Sequence, residues 1–163
     1  MSLADRLRDL HRDCNPSCLV SRCEKEGCDL PLGDSGNLIC IDADRCGAFA
    51  SNQKRPDYVL LETTEPRWIV VEMKSHTVKP GDIQEKFEES ARVLADDTRF
   101  AVNQVRRLLP IVLHKGAYRQ DLLTLQNTRI PFRGKRYPIR VARCGTPISK
   151  ILCYSHLWSM SEK

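Results

Sequence analysis

Two short apolar runs, Tyr58–Leu61 and Trp68–Val71, are separated by a stretch rich in threonine, glutamate and proline. Runs of this length bounded by turn formers read as buried strands. A return through Thr63-Thr64-Glu65-Pro66 folds them into a hairpin. The ends of the runs carry charge that a buried strand normally excludes. Asp57 sits at the mouth of the first run, and Glu72 and Lys74 at the exit of the second. Residues two apart on a strand share a face. The hairpin therefore predicts Glu72 and Lys74 side by side, with Asp57 brought close. Two carboxylates and an ammonium at a strand end suit a hard metal ion and a lysine that positions water. The alternative reading is structural: a solvated Glu72–Lys74 pair of little energetic value, with Asp57 forming a turn after Pro56.

A chain of 163 residues has room for one domain with one sizeable core. Nothing in it approaches the length of a membrane span. The opening MSLADRLRDLHRD carries acids and bases where a secretory signal needs an apolar centre, so an intracellular protein is expected. The sequence reads as a single domain over residues 1–163, with a Cys-rich insert over 14–46.

Ser2 and Asp5 resemble a capping box, and Leu3, Leu7 and Leu10 recur at helical spacing, which predicts a short helix over 3–13. Residues 14–36 lack periodicity and read as loop. Leu38–Ile41 predicts a strand ahead of the hairpin. After His76 the period changes. Asp82 is placed to cap a helix with Ile83, Phe87, Ala91 and Leu94 inward. Val102, Val105 and Leu109 suggest a second short helix running into a strand at Leu108–Leu113, which Pro110 assigns to a sheet edge or a strand start. Residues 119–126 fit no single class. RIPFRGKRYPIRV alternates apolar and basic residues around Gly134, a two-stranded ribbon. Ile151–Tyr154 reads as a last edge strand. The fold class is α/β or α+β.

Pro56-Asp57 followed by Glu72-Met73-Lys74 resembles the signature of the PD-(D/E)XK nuclease superfamily, over roughly residues 38–115. The resemblance implies a restriction-endonuclease-like core, a mixed central sheet flanked by helices. It also implies Mg²⁺- or Mn²⁺-dependent hydrolysis of phosphodiester bonds, with DNA the favoured substrate. On this resemblance Asp57 and Glu72 are metal-binding carboxylates, the Met73 backbone carbonyl is a further ligand, and Lys74 stands near the attacking water. Some members carry a glutamine in the helix after the lysine, where Gln84 stands, so Gln84 joins the catalytic set. Many also carry an upstream helical glutamate, whereas residues 3–13 offer only Asp5, Asp9 and Asp13. His76, by alternation, shares the Glu72 face if the strand lasts that long. His114 and Lys115 follow the apolar LPIVL run and are further cleft candidates. Gln84, His76, His114 and Lys115 are also readable as ordinary surface residues.

Eight cysteines is a high count, and six of them fall within the first 46 residues. Without a secretion signal, metal binding is the first reading. Cys14, Cys18, Cys23 and Cys28 offer four thiolates to a structural Zn²⁺, with Cys40 and Cys46 as replacements. An iron–sulfur cluster is the second. Relatives that hold one place one cysteine before the nuclease core and three after it; here six precede Asp57. Buried thiols or disulfides are the third.

Charge is unevenly spread. Residues 1–98 hold 13 Lys/Arg against 19 Asp/Glu, while residues 99–143 hold 11 Lys/Arg against Asp121 alone. Arg129, Arg133, Lys135, Arg136, Arg140 and Arg143 crowd the ribbon and predict a surface for a polyanion. Phe132 and Tyr137 either stack on unpaired bases or pack inward. The leading expectation is a metal-dependent nuclease acting on DNA. The alternatives are a non-catalytic nucleic-acid-binding module of the same fold and a zinc-stabilised interaction protein. The sequence leaves the oligomeric state open, a homodimer included.

Overall fold

In the computed structural model, which describes residues 5, 7–9, 18–33, 37–49, 54–97, 100 and 105–153, the two apolar runs lie in the middle of a mixed sheet. Among the described residues ten strands follow in chain order: β1 (Leu19–Val20), β2 (Cys23–Lys25), β3 (Cys28–Leu30), β4 (Leu38–Asp42), β5 (Tyr58–Glu62), β6 (Arg67–Lys74), β7 (Arg107–His114), β8 (Arg129–Phe132), β9 (Lys135–Pro138) and β10 (Arg140–Arg143). The two longest helices among the described residues are α1 (Pro80–Asp96) and α2 (Arg119–Gln126). Six strands form the main sheet in the order β1-β4-β5-β6-β7-β10. From β1 to β6 the neighbours are antiparallel; β7 joins β6 in parallel after the α1 crossover, and β10 joins β7 in parallel.

Both faces of the central strands are buried, which is why their sequences are almost continuously apolar. Val59, Leu61, Trp68, Val70 and Val112 share one cluster with Ile83, Phe87, Ala91 and Leu94 of α1, Leu125 of α2, and Ile130 and Phe132 of β8. Leu60, Ile69, Val71, Ile111 and Leu113 form the opposite face, covered by Cys23, Cys28 and Leu30 and by Ile148 and Ile151. No helix among the described residues is long and apolar enough to cross a membrane.

Several expectations are corrected by particular residues. Pro80, with its φ preset for a first helical position, opens α1 and makes Lys79 the cap; Asp82 falls in the first turn instead. Pro110 is buried inside β7, a central strand. Its missing N–H is tolerated because β10 first pairs at Ile111, which leaves Pro110 a ladder partner, Val70, on the β6 side alone. Leu109 belongs to β7, not to a helix, and Val102 lies outside the described residues. Residues 119–126 form α2. In place of a final strand, residues 148–153 are helical. Pro147 starts the turn by accepting from Lys150 N, and Ile148 and Ile151 bury the same side. Tyr154 lies outside the described residues, as do Leu3 and Leu10 of the helix expected over 3–13; Asp5 and residues 7–9 are helical, with Leu7 buried on the α1 face.

The described part of the Cys-rich stretch, residues 18–33 and 37–46, holds regular structure that its lack of periodicity does not suggest. β2 and β3 pair as a hairpin around Glu26 (φ 51°) and Gly27 (φ 76°), a turn with both central residues left-handed. The basic ribbon repeats the device: β8 and β9 pair around Arg133 (φ 47°) and Gly134 (φ 81°). A disulfide from Cys28 to Cys144 fastens the first hairpin to the end of β10.

Candidate active site

The register of β5 and β6 sets Tyr58 against Val71, so the residues just outside this pair meet at one end of the sheet. Asp57 N donates to the Val71 carbonyl at 3.0 Å, and Met73 N donates to Asp57 Oδ2 at 2.7 Å. Alternation turns Glu72 to the α1 face, the face of Val70, and Asp57, at the entry to β5, is near enough for its charge to act on Glu72. Glu72 is only 1% exposed, which removes the solvated-pair reading. Its Oε1 accepts from Lys86 Nζ at 3.0 Å and lies 3.4 Å from Lys74 Nζ. Its Oε2 is buried with no hydrogen-bond partner. Burial pushes the Glu72 carboxyl above the usual carboxylate range, and the Asp57 charge adds to this; Lys86 and Lys74 pull it back.

Asp57 is 5% exposed, and its Oδ1 lies 2.5 Å from Lys25 Nζ of the Cys-rich hairpin. Burial works against the Lys25 ammonium, but the hydrogen bond and charge of Asp57 outweigh it and leave the Lys25 pKa raised. Two buried carboxylates are thus contacted by three ammonium groups, one each from β2, β6 and α1.

The parallel ladder extends the site sideways. Lys74 pairs with His114 and His114 with Arg143, and residues in register on adjacent parallel strands point the same way. His114 is buried and its Nδ1 has no hydrogen-bond partner. Burial, and then the Arg143 charge, lower its pKa. Lys115 turns the other way, donating to the Glu26 carbonyl at 3.1 Å.

Of the residues named from sequence, Asp57, Glu72 and Lys74 converge, and Met73 contributes its amide to Asp57. Gln84 does not join them. It donates to Glu88 Oε1 at 2.9 Å and lines, with Arg129 and Arg136, a groove of about 390 Å³ between α1 and the ribbon. His76 is exposed beyond the end of β6. Two site lysines were missed. Lys86 follows Gln84 by two positions, roughly 200° round the helix, so only one of them can meet Glu72. The available signal was its place one residue before the inward Phe87. Lys25 carries no local signal, because only the tertiary docking of its hairpin brings it to Asp57.

The cysteines are not brought together as a zinc set. Cys28 is bonded to Cys144, Cys23 Sγ touches Cys40 Sγ at 2.6 Å, and Cys18 Sγ donates to the Arg45 carbonyl. Cys14 lies outside the described residues. Among the described residues no group of three or more His, Cys, Asp or Glu side chains is placed to hold a metal. Asp57 and Glu72 are a pair, and backbone, water or substrate oxygens must complete any cation's shell there.

On the ribbon, Phe132 is buried and Tyr137 donates its hydroxyl to the Arg106 carbonyl at 2.9 Å, so both aromatics pack inward. The Arg133 guanidinium lies over the Phe132 ring, 5.6 Å from its centroid. Arg129, Lys135, Arg136 and Arg143 are exposed, and Arg133 and Arg140 half-buried. Arg129, Arg140, Arg143 and Lys150 line a second, larger cavity of about 880 Å³. No protein-family model, curated protein or solved structure matches the chain.

Proposed function

We propose that the chain is a divalent-metal-dependent nuclease that hydrolyses phosphodiester bonds in DNA, on a core of the restriction-endonuclease type. The observation that carries this reading is the buried, partnerless Oε2 of Glu72 at the same end of the sheet as Asp57. A buried carboxylate oxygen left unbonded costs stability, so its retention favours a use. Hard oxygen donors of this kind fit Mg²⁺ or Mn²⁺. The element order supports the same reading. Three antiparallel strands, a helical crossover and a parallel strand collect Asp57, Glu72 and Lys74 where a ligand most readily binds, at the carboxyl ends of parallel strands.

In this reading Asp57, Glu72 and the Met73 backbone carbonyl hold the cation. When bound, it withdraws charge from the scissile phosphate and eases loss of a proton from water. Lys86 occupies Oε1 of Glu72, so Oε2 is the oxygen that would be free to hold the cation. Lys74 orients the attacking water and offsets negative charge as it grows on the phosphate. Arg143, in the ladder row with Lys74 and His114, meets a flanking phosphate. The exposed Arg129, Lys135 and Arg136 raise the local concentration of a polyanion.

The test is cleavage of supercoiled, linear and single-stranded DNA with Mg²⁺ or Mn²⁺. Glu72→Gln and Lys74→Ala should each reduce the rate by about a hundredfold or more. Cleavage unchanged in both variants overturns the reading. A non-catalytic nucleic-acid-binding module is the second reading, favoured by the three ammonium groups that already compensate the two carboxylates. Under it, wild type and a Glu72→Gln variant bind DNA equally, and neither cleaves with either metal.

A further inference from the structure

The β2–β3 hairpin lies on the face of the sheet opposite α1, where Cys23, Cys28 and Leu30 pack on Leu60, Ile69 and Val71. Its backbone is fixed there at several points. The Tyr58 hydroxyl donates to the Glu24 carbonyl at 2.6 Å and accepts from Glu24 N at 3.2 Å. Lys115 holds the Glu26 carbonyl, and Gly145 N donates to the Asp29 carbonyl at 2.8 Å. Lys25, directly across the hairpin from the disulfide-bonded Cys28, reaches from this side to the Asp57 carboxylate.

That reach ends on the oxygen a cation would need. Asp57 Oδ2 is engaged by Met73 N, and Oδ1 by Lys25 Nζ. The two partners differ in their freedom to leave. The Met73 amide is part of the sheet, whereas the Lys25 side chain is 43% exposed against 5% for Asp57. The ammonium has water to retreat into; the carboxylate has none.

From this geometry we infer that Lys25 is a resident counter-cation of the site, holding Asp57 Oδ1 until a divalent cation displaces it. The inference rests on the proposed metal site and adds a positioning residue to it. Exchange keeps Asp57 compensated throughout, since one positive group leaves as another arrives. The displaced ammonium remains tethered by a fastened hairpin at the rim of the site, where it faces the phosphate that accompanies the metal. The anchoring of the hairpin therefore serves to keep a mobile side chain within reach of a fixed carboxylate.

The experiment is calorimetric titration of the full chain with Mn²⁺ alone, in wild type, Lys25→Met, Lys25→Gln, Lys25→Arg and Asp57→Asn, with thermal unfolding of each protein with and without Mn²⁺. Removing the competing charge should tighten Mn²⁺ binding by about tenfold in Lys25→Met and Lys25→Gln. Lys25→Arg should bind as wild type, and Asp57→Asn should lose binding. Without metal, Lys25→Met should unfold earlier than wild type, because a buried carboxylate loses its partner; Mn²⁺ should restore it by a larger shift than it gives wild type. Should Lys25→Met prove too unstable to titrate, Lys25→Gln carries the same test. Equal or weaker Mn²⁺ binding in the neutral variants, with binding still lost in Asp57→Asn, overturns the role of Lys25 and leaves the metal site standing. No Mn²⁺ binding in wild type or in either neutral variant overturns the metal site and the role of Lys25 with it.

Discussion

Glu72 is held more closely by a helix than by its own strand: Lys86 Nζ stands 3.0 Å from Oε1, while Lys74 Nζ stands 3.4 Å from the same atom. The two lysines therefore divide the work. Lys86 steadies the carboxylate and lowers its proton affinity, and Lys74 keeps a looser contact that it can give up to water or phosphate.

Lys86→Met removes the larger of the two lysine effects on Glu72, whose carboxyl already sits above its usual range. The proton should then compete with metal to higher pH. Mn²⁺ affinity measured across pH should show its acidic limb displaced upward. Lys74→Met should shift the limb less while reducing cleavage more. Identical pH profiles for wild type and Lys86→Met would leave Lys86 without this role.

Glu72 should cost the metal-free protein stability. A carboxyl whose folded pKa exceeds its unfolded value of 4.5 binds its proton more tightly in the folded state. Its contribution is full below that unfolded value and is lost as pH rises through the raised folded one. Glu72→Gln escapes that loss. Denaturant unfolding from about pH 4 to about pH 8 should show wild type falling behind Glu72→Gln as pH rises. Parallel curves would contradict the burial penalty.

Asp57 has a structural duty besides its proposed catalytic one, because it accepts the Met73 amide. Asp57→Ala strips that N–H and Lys25 of their acceptor and should cost about 2–3 kcal/mol. Asp57→Asn keeps an acceptor for the amide and should cost less, while abolishing cleavage just as fully. Urea titrations of the pair, set beside their cleavage rates, separate the two duties; equal stability losses would deny the Met73 bond its importance.

The ribbon should bind through charge. Arg133 has left-handed backbone, so asparagine is its least disruptive replacement. The combination Arg133→Asn, Lys135→Gln and Arg136→Gln should weaken DNA binding and reduce the slope of log affinity against log salt by about two to three. Binding at wild-type strength across a salt series, by a folded triple variant, would exclude the ribbon as the substrate clamp.

What the sequence made legible was local. The hairpin from Asp57 to Lys74 follows from two apolar runs, a turn and the alternation of a strand, all within one short segment. The inward face of α1 and the ribbon about Gly134 follow in the same way. Pro110 misled because its cost depends on how far β10 extends, a fact that belongs to another strand. Ile151 misled because a short apolar run does not distinguish a strand from a turn of helix, and Pro147 decided it. The lysines that complete the site, and the cysteine pairing, were invisible for a common reason. Lys25 meets Asp57 across 32 positions and Cys28 meets Cys144 across 116, and no periodicity reports such contacts. The resemblance points to Gln84 in α1, whereas the turn of the helix gives Gln84 to Glu88 and Lys86 to Glu72.

The Cys28–Cys144 bond closes β3 through β10, with both helices, into one covalent ring. Cutting a ring once opens it without dividing it. A protease that nicks the exposed Thr64-Glu65-Pro66 turn between β5 and β6 would leave a molecule of undiminished mass, its halves still joined at the far side of the sheet. In denaturant, where the pairing of β5 with β6 is lost, only a thiol reductant would release them. The chain can therefore be clipped in any of its connecting loops between these two cysteines and keep Asp57 and Glu72, which lie on opposite sides of that turn, in a single particle.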